Sequence, residues 1–287
     1  MSYRFAIGVT MAALLSSGSA ESLGAQTAMH RGFHTHPDVA FRVMVPAGRV
    51  RIVAWDRDSI DVTGTIGKSS TFYGAGAGAG AKMGVEARMQ KDSVLADADL
   101  TISVPKRARV WVKMTMGTIE AAGTAGELEL YTVGGSIAVD GATGVISAES
   151  IDAGVTIAQS SGATRVRTGK GKVRLVDVTG TVSVATVSGP VDIRGSMAPE
   201  ARVETIGGSI ILNVARFGGT LVDLQTHSGD ITIAAAAASM PQLDLLSRGG
   251  TVTKPVPVGN EKEGRVVARS FKGAINVKPT SGIQKGK

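Results

Sequence analysis

The chain has 287 residues and a formal net charge of +7, with no cysteine at all. It therefore has neither a disulfide framework nor a lipid-modified N-terminal cysteine. Aromatics make up 4% while glycine counts 38, which argues against an aromatic-filled globular core and for thin layers of small β-formers.

The first twenty residues read as a secretory signal. Arg4 is the positive start, Phe5 to Leu15 the apolar stretch and Gly18-Ser19-Ala20 a small-x-small cleavage site, with Gly24 or Ala25 as a later cut. That run is too short to span a bilayer, and no later segment is long and apolar enough. Cleavage after Ala20 removes only Arg4, so the charge falls from +7 to +6. A modest excess of this kind gives no case for nucleic acid, which an exported protein seldom meets. Residues 21–36 are expected as a flexible lead-in. They carry His30, His34 and His36, a residue type that holds zinc, copper or nickel, but only Asp38 lies close by, and no metal is assigned.

From residue 37 the pattern alternates as strands do: Val39/Phe41/Val43, Val50/Ile52, Ile60/Val62, Leu100/Ile102/Val104 and Val110/Val112. Between them, residues 68 to about 92 include the run Gly74 to Gly80 of alternating Gly and Ala, expected as a protruding loop. Its Gly-x-Gly spacings lack the following helix that a dinucleotide site needs.

A repeat starts at Gly117. Glycine recurs every nine residues at 117, 126, 135, 144, 162, 171, 180 and 189, with Ala153 in the one gap. Two and four residues after each comes an inward pair, from Ile119/Ala121 through Leu128/Leu130 and Thr164/Val166 to Val191/Ile193. Residues two apart on a strand share a face, so each pair points inward and the residues between point out. Thr132, Ser150, Thr168 and Thr186 recur every eighteen residues, where a hydroxyl can bond the backbone of a corner. The true period is therefore two strands per coil, with coils stacked about 4.8 Å apart.

Longer turns follow residue 200, but pairs such as Ala201/Val203, Ile210/Leu212, Val222/Leu224 and Ile231/Ile233 continue, then Leu243/Leu245, Val266/Ala268 and Ile275/Val277. Lys254 is a misfit in an inward slot beside Val252, and Pro255 and Pro257 follow, so a second loop is expected at about 255–264. The N-terminal strands and the coil around Ala274 are expected to cap the ends, and 280–287 to be a polar tail. The fold class is thus all-β: one single-stranded parallel β-solenoid over 37–279, of nine-residue half-coils and about 18–21 residues per coil.

The segments Val133 to Val139 (VGGSIAV), Ile206 to Leu212 (IGGSIIL) and His227 to Ile233 (HSGDITI) resemble the bacterial "putative adhesin" β-strand-repeat family, a domain of unknown function. So does Leu100 to Pro105 leading into Met116-Gly-Thr-Ile-Glu120. The resemblance covers roughly residues 37 to 279. It implies a right-handed solenoid and a role in adhesion, and it brings no catalytic residues.

The strongest functional hint is a basic edge. Arg165 and Arg167 point out from one strand, Lys172 and Arg174 from the next, and Lys170 sits at the corner between them. Such a cluster can grip a polyanion or acidic glycan. The competing reading is a solvated charge ladder, because eighteen-residue stacking puts Glu149 beside Arg167 and Asp192 beside Arg174. His227, Ser228 and Asp230 are neighbours on one turn, whereas a catalytic triad converges from separate segments. Trp111 and Tyr131 point outward on adjacent coils, either as a sugar platform or as a local cover. The outward acids Glu127, Glu129, Glu149 and Asp192 are scattered, without the paired carboxylates that glycoside chemistry uses. No catalytic, cofactor or metal residue is assigned. The expectation is a non-enzymatic exported module, adhesin-like or an envelope scaffold, periplasmic, secreted or on the cell surface. Binding of a polyanion at the basic edge is the alternative, and a carbohydrate-active enzyme a remote third.

Overall fold

A computed structural model describes residues 26–88, 95–195, 199–214, 216–254 and 260–279. The signal expected over 1–20 (cut as late as 25) and the tail at 280–287 lie outside the described residues.

All but one of the elements are strands. The N-terminal part comprises β1 (Thr27–Met44), β2 (Ala47–Trp55), β3 (Ser59–Ile66), β4 (Ser70–Ala87) and β5 (Asp97–Pro105). The regular stack follows as β6 (Arg109–Ala122), β7 (Glu127–Asp140), β8 (Thr143–Ser150), β9 (Gly154–Ala158), β10 (Ser161–Thr168) and β11 (Val173–Val176). It continues through β12 (Thr179–Thr186), β13 (Val191–Gly195), β14 (Glu200–Thr205), β15 (Ile210–Val214), β16 (Thr220–Thr226) and β17 (Ile231–Ala235). One turn of 3-10 helix (Ala237–Ser239) precedes β18 (Pro241–Ser247), β19 (Val252–Thr253), β20 (Asn260–Ser270) and β21 (Ile275–Pro279).

The eighteen-residue coil is visible in the register. Thr164 of β10 pairs in parallel with Ile146 of β8 and Val182 of β12, and Val173 of β11 with Val155 of β9 and Val191 of β13. Long strands β6 and β7 each run round a corner and serve both faces. The step grows to nineteen residues between Val182 and Ala201 and to twenty-one between Ala201 and Val222, which fits the longer turns.

The core lies between the two faces. The inward pairs from Ile119 to Ile233 are buried, many of them fully. Each Val or Ile buried in this way contributes about 1.5–3 kcal/mol before ordering entropy is set against it. Corner glycines make the close stacking possible. Gly180 has φ 99°, and a Cβ there would sit 2.1 Å from the carbonyl oxygen of Gly162 in the coil below. The corner hydroxyls bond as their period suggests: Ser150 Oγ donates to the Ala153 carbonyl (2.7 Å) and Thr186 Oγ1 to that of Gly189 (2.7 Å). The row continues past the regular repeat, with Thr205 and Thr226 accepting from the Gly208 and Gly229 N–H groups.

At the N-terminal end the fold departs from the expectation in three ways. Residues 27–36 are not a flexible lead-in but the first half of β1. This half pairs antiparallel with β3 from Thr27↔Ile66 to His34↔Ser59, with Met29 and Phe33 packed on the core. The solenoid is therefore not parallel throughout, since β3 is antiparallel to β5 as well. Nor is the Gly-Ala run a loop. It lies in β4, which doubles back on itself: Arg88 N–H donates to the Ser69 carbonyl (2.7 Å), and a Cβ on Gly76 would fall 2.4 Å from that of Ala81. The turn passes through Gly78 at φ 57°. Small side chains let the two halves of β4 pack closely while its second half pairs with the end of β1. Residues 89–94 of the expected loop lie outside the described residues.

The C-terminal end contains a reversal of order. β20 pairs with both β16 and β18, and β21 with both β17 and β19. The last coil in sequence is therefore inserted one place inward, and the coil 241–253 is outermost. The coil around Ala274 is not the cap. This explains the misfit: Leu243 and Leu245 are half-buried, and Val252 and Lys254 are exposed because no further coil covers them. Of the second expected loop, 255–259 lie outside the described residues and Asn260–Gly264 begin β20.

Candidate functional site

The basic edge occupies one coil, β10 and β11 with the corner between. Inward Thr164, Val166 and Thr168 alternate with outward Arg165 and Arg167; inward Val173 and Leu175 leave Lys172 and Arg174 outside. Lys170 stands on the corner between Gly169 and Gly171. A Cβ on Gly171 would meet the Ala153 carbonyl oxygen at 1.7 Å, so the corner is pressed on the coil below and the flanking cations are thrown outward.

All five cations are exposed, but their surroundings differ. Lys170 Nζ lies 3.8 Å from Asp152 Oδ1, and Lys172 Nζ 3.9 Å from Asp192 Oδ2. Asp192 is 3% exposed although its position points outward, and its other oxygen accepts from Arg194 Nε at 2.8 Å. That hydrogen bond and the charge of Asp192 hold the Arg194 guanidinium above its ordinary value. Arg167 is the register partner of Glu149, and Arg174 of Asp192, as the stacking predicts. Neither pair closes into an ion pair. Among the described residues the side chains of Arg165, Arg167 and Arg174 have no ion-pair or hydrogen-bond partner, so the ladder neutralises only Lys170 and Lys172. Arg194 was missed in the sequence. Its spacing of two from Asp192, on the same side of β13, is the signal that marks it.

The other candidates are not brought together. His30 Nε2 contacts Asp61 Oδ1 at 2.6 Å on the surface, and no group of three metal-ligating side chains occurs among the described residues. His227 stacks on Phe271 with ring centroids 5.0 Å apart, Ser228 Oγ donates to the Ile206 carbonyl, and Asp230 Oδ1 accepts from the Ala274 N–H. The three neighbours thus engage three different partners, none of them one another. Trp111 and Tyr131 line shallow depressions on one face, together with Glu129 and Lys113. A larger neighbouring depression of about 540 Å³ shares Trp111 and Glu129 but not Tyr131, and is lined in addition by Arg42, Arg109 and Glu127. No helix among the described residues is long and apolar enough to cross a membrane.

Comparison with known proteins decides the family. The model of the Toastrack DUF4097 family matches residues 49–277, well over half of the chain. The chain belongs to that family. The Toastrack match starts within β2 and ends within β21, so it takes in the whole regular stack and the reordered C-terminal coil. A comparison with curated proteins found no match. Among solved structures, a "putative adhesin" from Bacteroides fragilis is 13% identical, with 90% of this chain and 99% of that chain covered and a TM-score of 0.43. A "putative lipid binding protein" from Parabacteroides distasonis is 11% identical (88% and 97% covered, TM-score 0.45). A "putative cell adhesion protein" from Clostridium sporogenes is 9% identical (88% and 100% covered, TM-score 0.28). At such identities and scores these likenesses say nothing of what the Toastrack chain binds.

Proposed function

We propose that this Toastrack chain is an exported, non-enzymatic module of the bacterial cell envelope, adhesin-like or scaffolding in role. The observation that carries the reading is the stack itself. From β2 to β21 its interior is filled by side chains, which leaves the outward rows of a stiff hydrogen-bonded support as the working surface. The N-terminal signal pattern supports export. The test is protease added to intact cells, to cells with the outer envelope opened, and to lysed cells, with the chain detected each time. Cleavage on intact cells marks a surface adhesin, and cleavage only after opening marks a periplasmic scaffold. A chain protected until lysis would contradict export.

A second reading, polyanion binding at the basic edge, is supported by the three arginines that lack protein partners. Contacts of this kind weaken steeply with ionic strength. Changing Arg165, Arg167 and Arg174 together to glutamine should abolish retention on immobilised heparin at moderate salt. Unchanged retention would rule the edge out.

A further inference from the structure

One corner of the solenoid carries four exposed apolar side chains in a row of six positions. It is built from the residue just past the corner hydroxyl in six successive coils: Ile151, Gly169, Val187, Ile206, His227 and Phe271. Backbone bonds fix their succession. Gly169 N–H donates to the Ile151 carbonyl, Val187 N–H to Gly169 and Ile206 N–H to Val187. The row then passes to Phe271 through the bond from Lys272 N–H to the His227 carbonyl. Ile151 is 49% exposed, Val187 54%, Ile206 58% and Phe271 45%. Successive coils lie about 4.8 Å apart, so the row is a narrow strip about 24 Å long.

Charge beside the strip is mainly positive. Arg167 and Arg269 precede their row members, Lys170 and Lys272 follow theirs, and Arg248 takes the next place beyond Phe271. Of the carboxylates alongside, Asp152 is paired with Lys170 and Glu204 with Arg202, while Glu149 lies in register with Arg167, so the excess rests on Arg248, Arg269 and Lys272. Arg248 and Arg269 have no ion-pair or hydrogen-bond partner through their side chains among the described residues. With His227 and Phe271 they line a depression of about 450 Å³. It lies where β20 and its following corner stand between β16 and β18, and Glu204, held by Arg202, also lines it.

We infer that this corner docks the solenoid on a lipid surface bearing anionic headgroups. A single file of side chains on a convex corner falls far short of the roughly 800 Å² per partner that a stable protein interface buries. It can sink into the soft boundary between headgroups and acyl chains, where apolar insertion and flanking cations act together. Arg248 and Arg269 are placed for a headgroup phosphate beside the inserted Phe271.

The absence of cysteine permits a direct test. Ile206→Cys in the full chain, labelled with an environment-sensitive fluorophore, is mixed with phosphatidylcholine vesicles or with vesicles containing phosphatidylglycerol. Thr181→Cys, exposed at the other end of β12 from this corner, is the control. Emission should rise severalfold at residue 206 with the anionic vesicles only, and stay flat at 181. Ile206→Ser combined with Phe271→Ser should cut co-sedimentation with these vesicles about tenfold, in line with the loss of inserted apolar area. Circular dichroism of each variant shows that the stack is intact. No emission change at 206, or an equal change at 181, would overturn the assignment. So would an equal response to both vesicle types.

Discussion

Thr164 occupies an inward slot that its neighbours in the coils on either side fill with Ile146 and Val182. It is 3% exposed, and its hydroxyl has no hydrogen-bond partner. Burying a hydroxyl without a partner costs about 1–3 kcal/mol, so Thr164→Val should raise stability by about 1 kcal/mol. In the same layer of the stack Val173 is fully buried, and Val173→Asp would place an unpaired charge between apolar residues, costing at least about 4 kcal/mol or the fold itself. Urea denaturation of both variants checks the pair, and opposite signs are expected. These positions were legible in the sequence because a strand's alternation leaves no choice of face once the period of nine is set. The partners of the outward charges were not. Register put Glu149 beside Arg167 and Asp192 beside Arg174, but the side chains of Lys172 and Arg194 reach Asp192 first.

At the scale of elements, the stack from β6 to β13 could be read directly, because a coil of constant length keeps every inward pair in register. Two departures could not. In β4 the glycines and alanines have too little side chain to show an alternation, and the doubling back depends on close contact that only such residues permit. The exchange of coil order at the C-terminus leaves no local trace, since β18 and β20 carry the same apolar spacing. The exchange predicts an order of hydrogen exchange opposite to the sequence: amides of 241–253 should open before those of 260–279. The reverse order would contradict the placement. Glu263 helps to hold β20 in place, accepting from Ser239 Oγ at 2.9 Å and from the Gly218 N–H at 3.2 Å. The Ser239 bond, then the Gly218 bond, and last the charge of Arg216, hold its carboxyl below the usual carboxylate range against the opposing effect of burial. A group depressed in the folded state stabilises above its unfolded pKa, and that stabilisation is lost as the pH falls through the lower, folded value. Replacing Glu263 with glutamine should therefore lower the urea midpoint at neutral pH, with the difference from the parent closing in strong acid.

For the whole molecule, stability that comes from stacking like coils has a consequence that an ordinary globular domain lacks. A complete coil can be removed and its neighbours can close over the gap, since each coil meets only the next. Residues 161–178 are one such coil: Ser161 stacks on Thr143, Thr179 stacks on Ser161, and the deletion would bring Thr179 onto Thr143 in unchanged register. The same eighteen residues hold the entire basic edge, from Arg165 to Arg174. Removing nine residues, 161–169, would instead set a strand of one face on the other and misalign every corner beyond it. The decisive measurement is thermal unfolding of the chain lacking 161–178, followed on the same preparation by retention on immobilised heparin. The predicted result is a single cooperative transition with heparin retention lost, against a collapsed transition for the nine-residue deletion. An unfolded eighteen-residue deletion would contradict the stacked-coil account, and a folded one that still holds heparin would remove the basic edge from it.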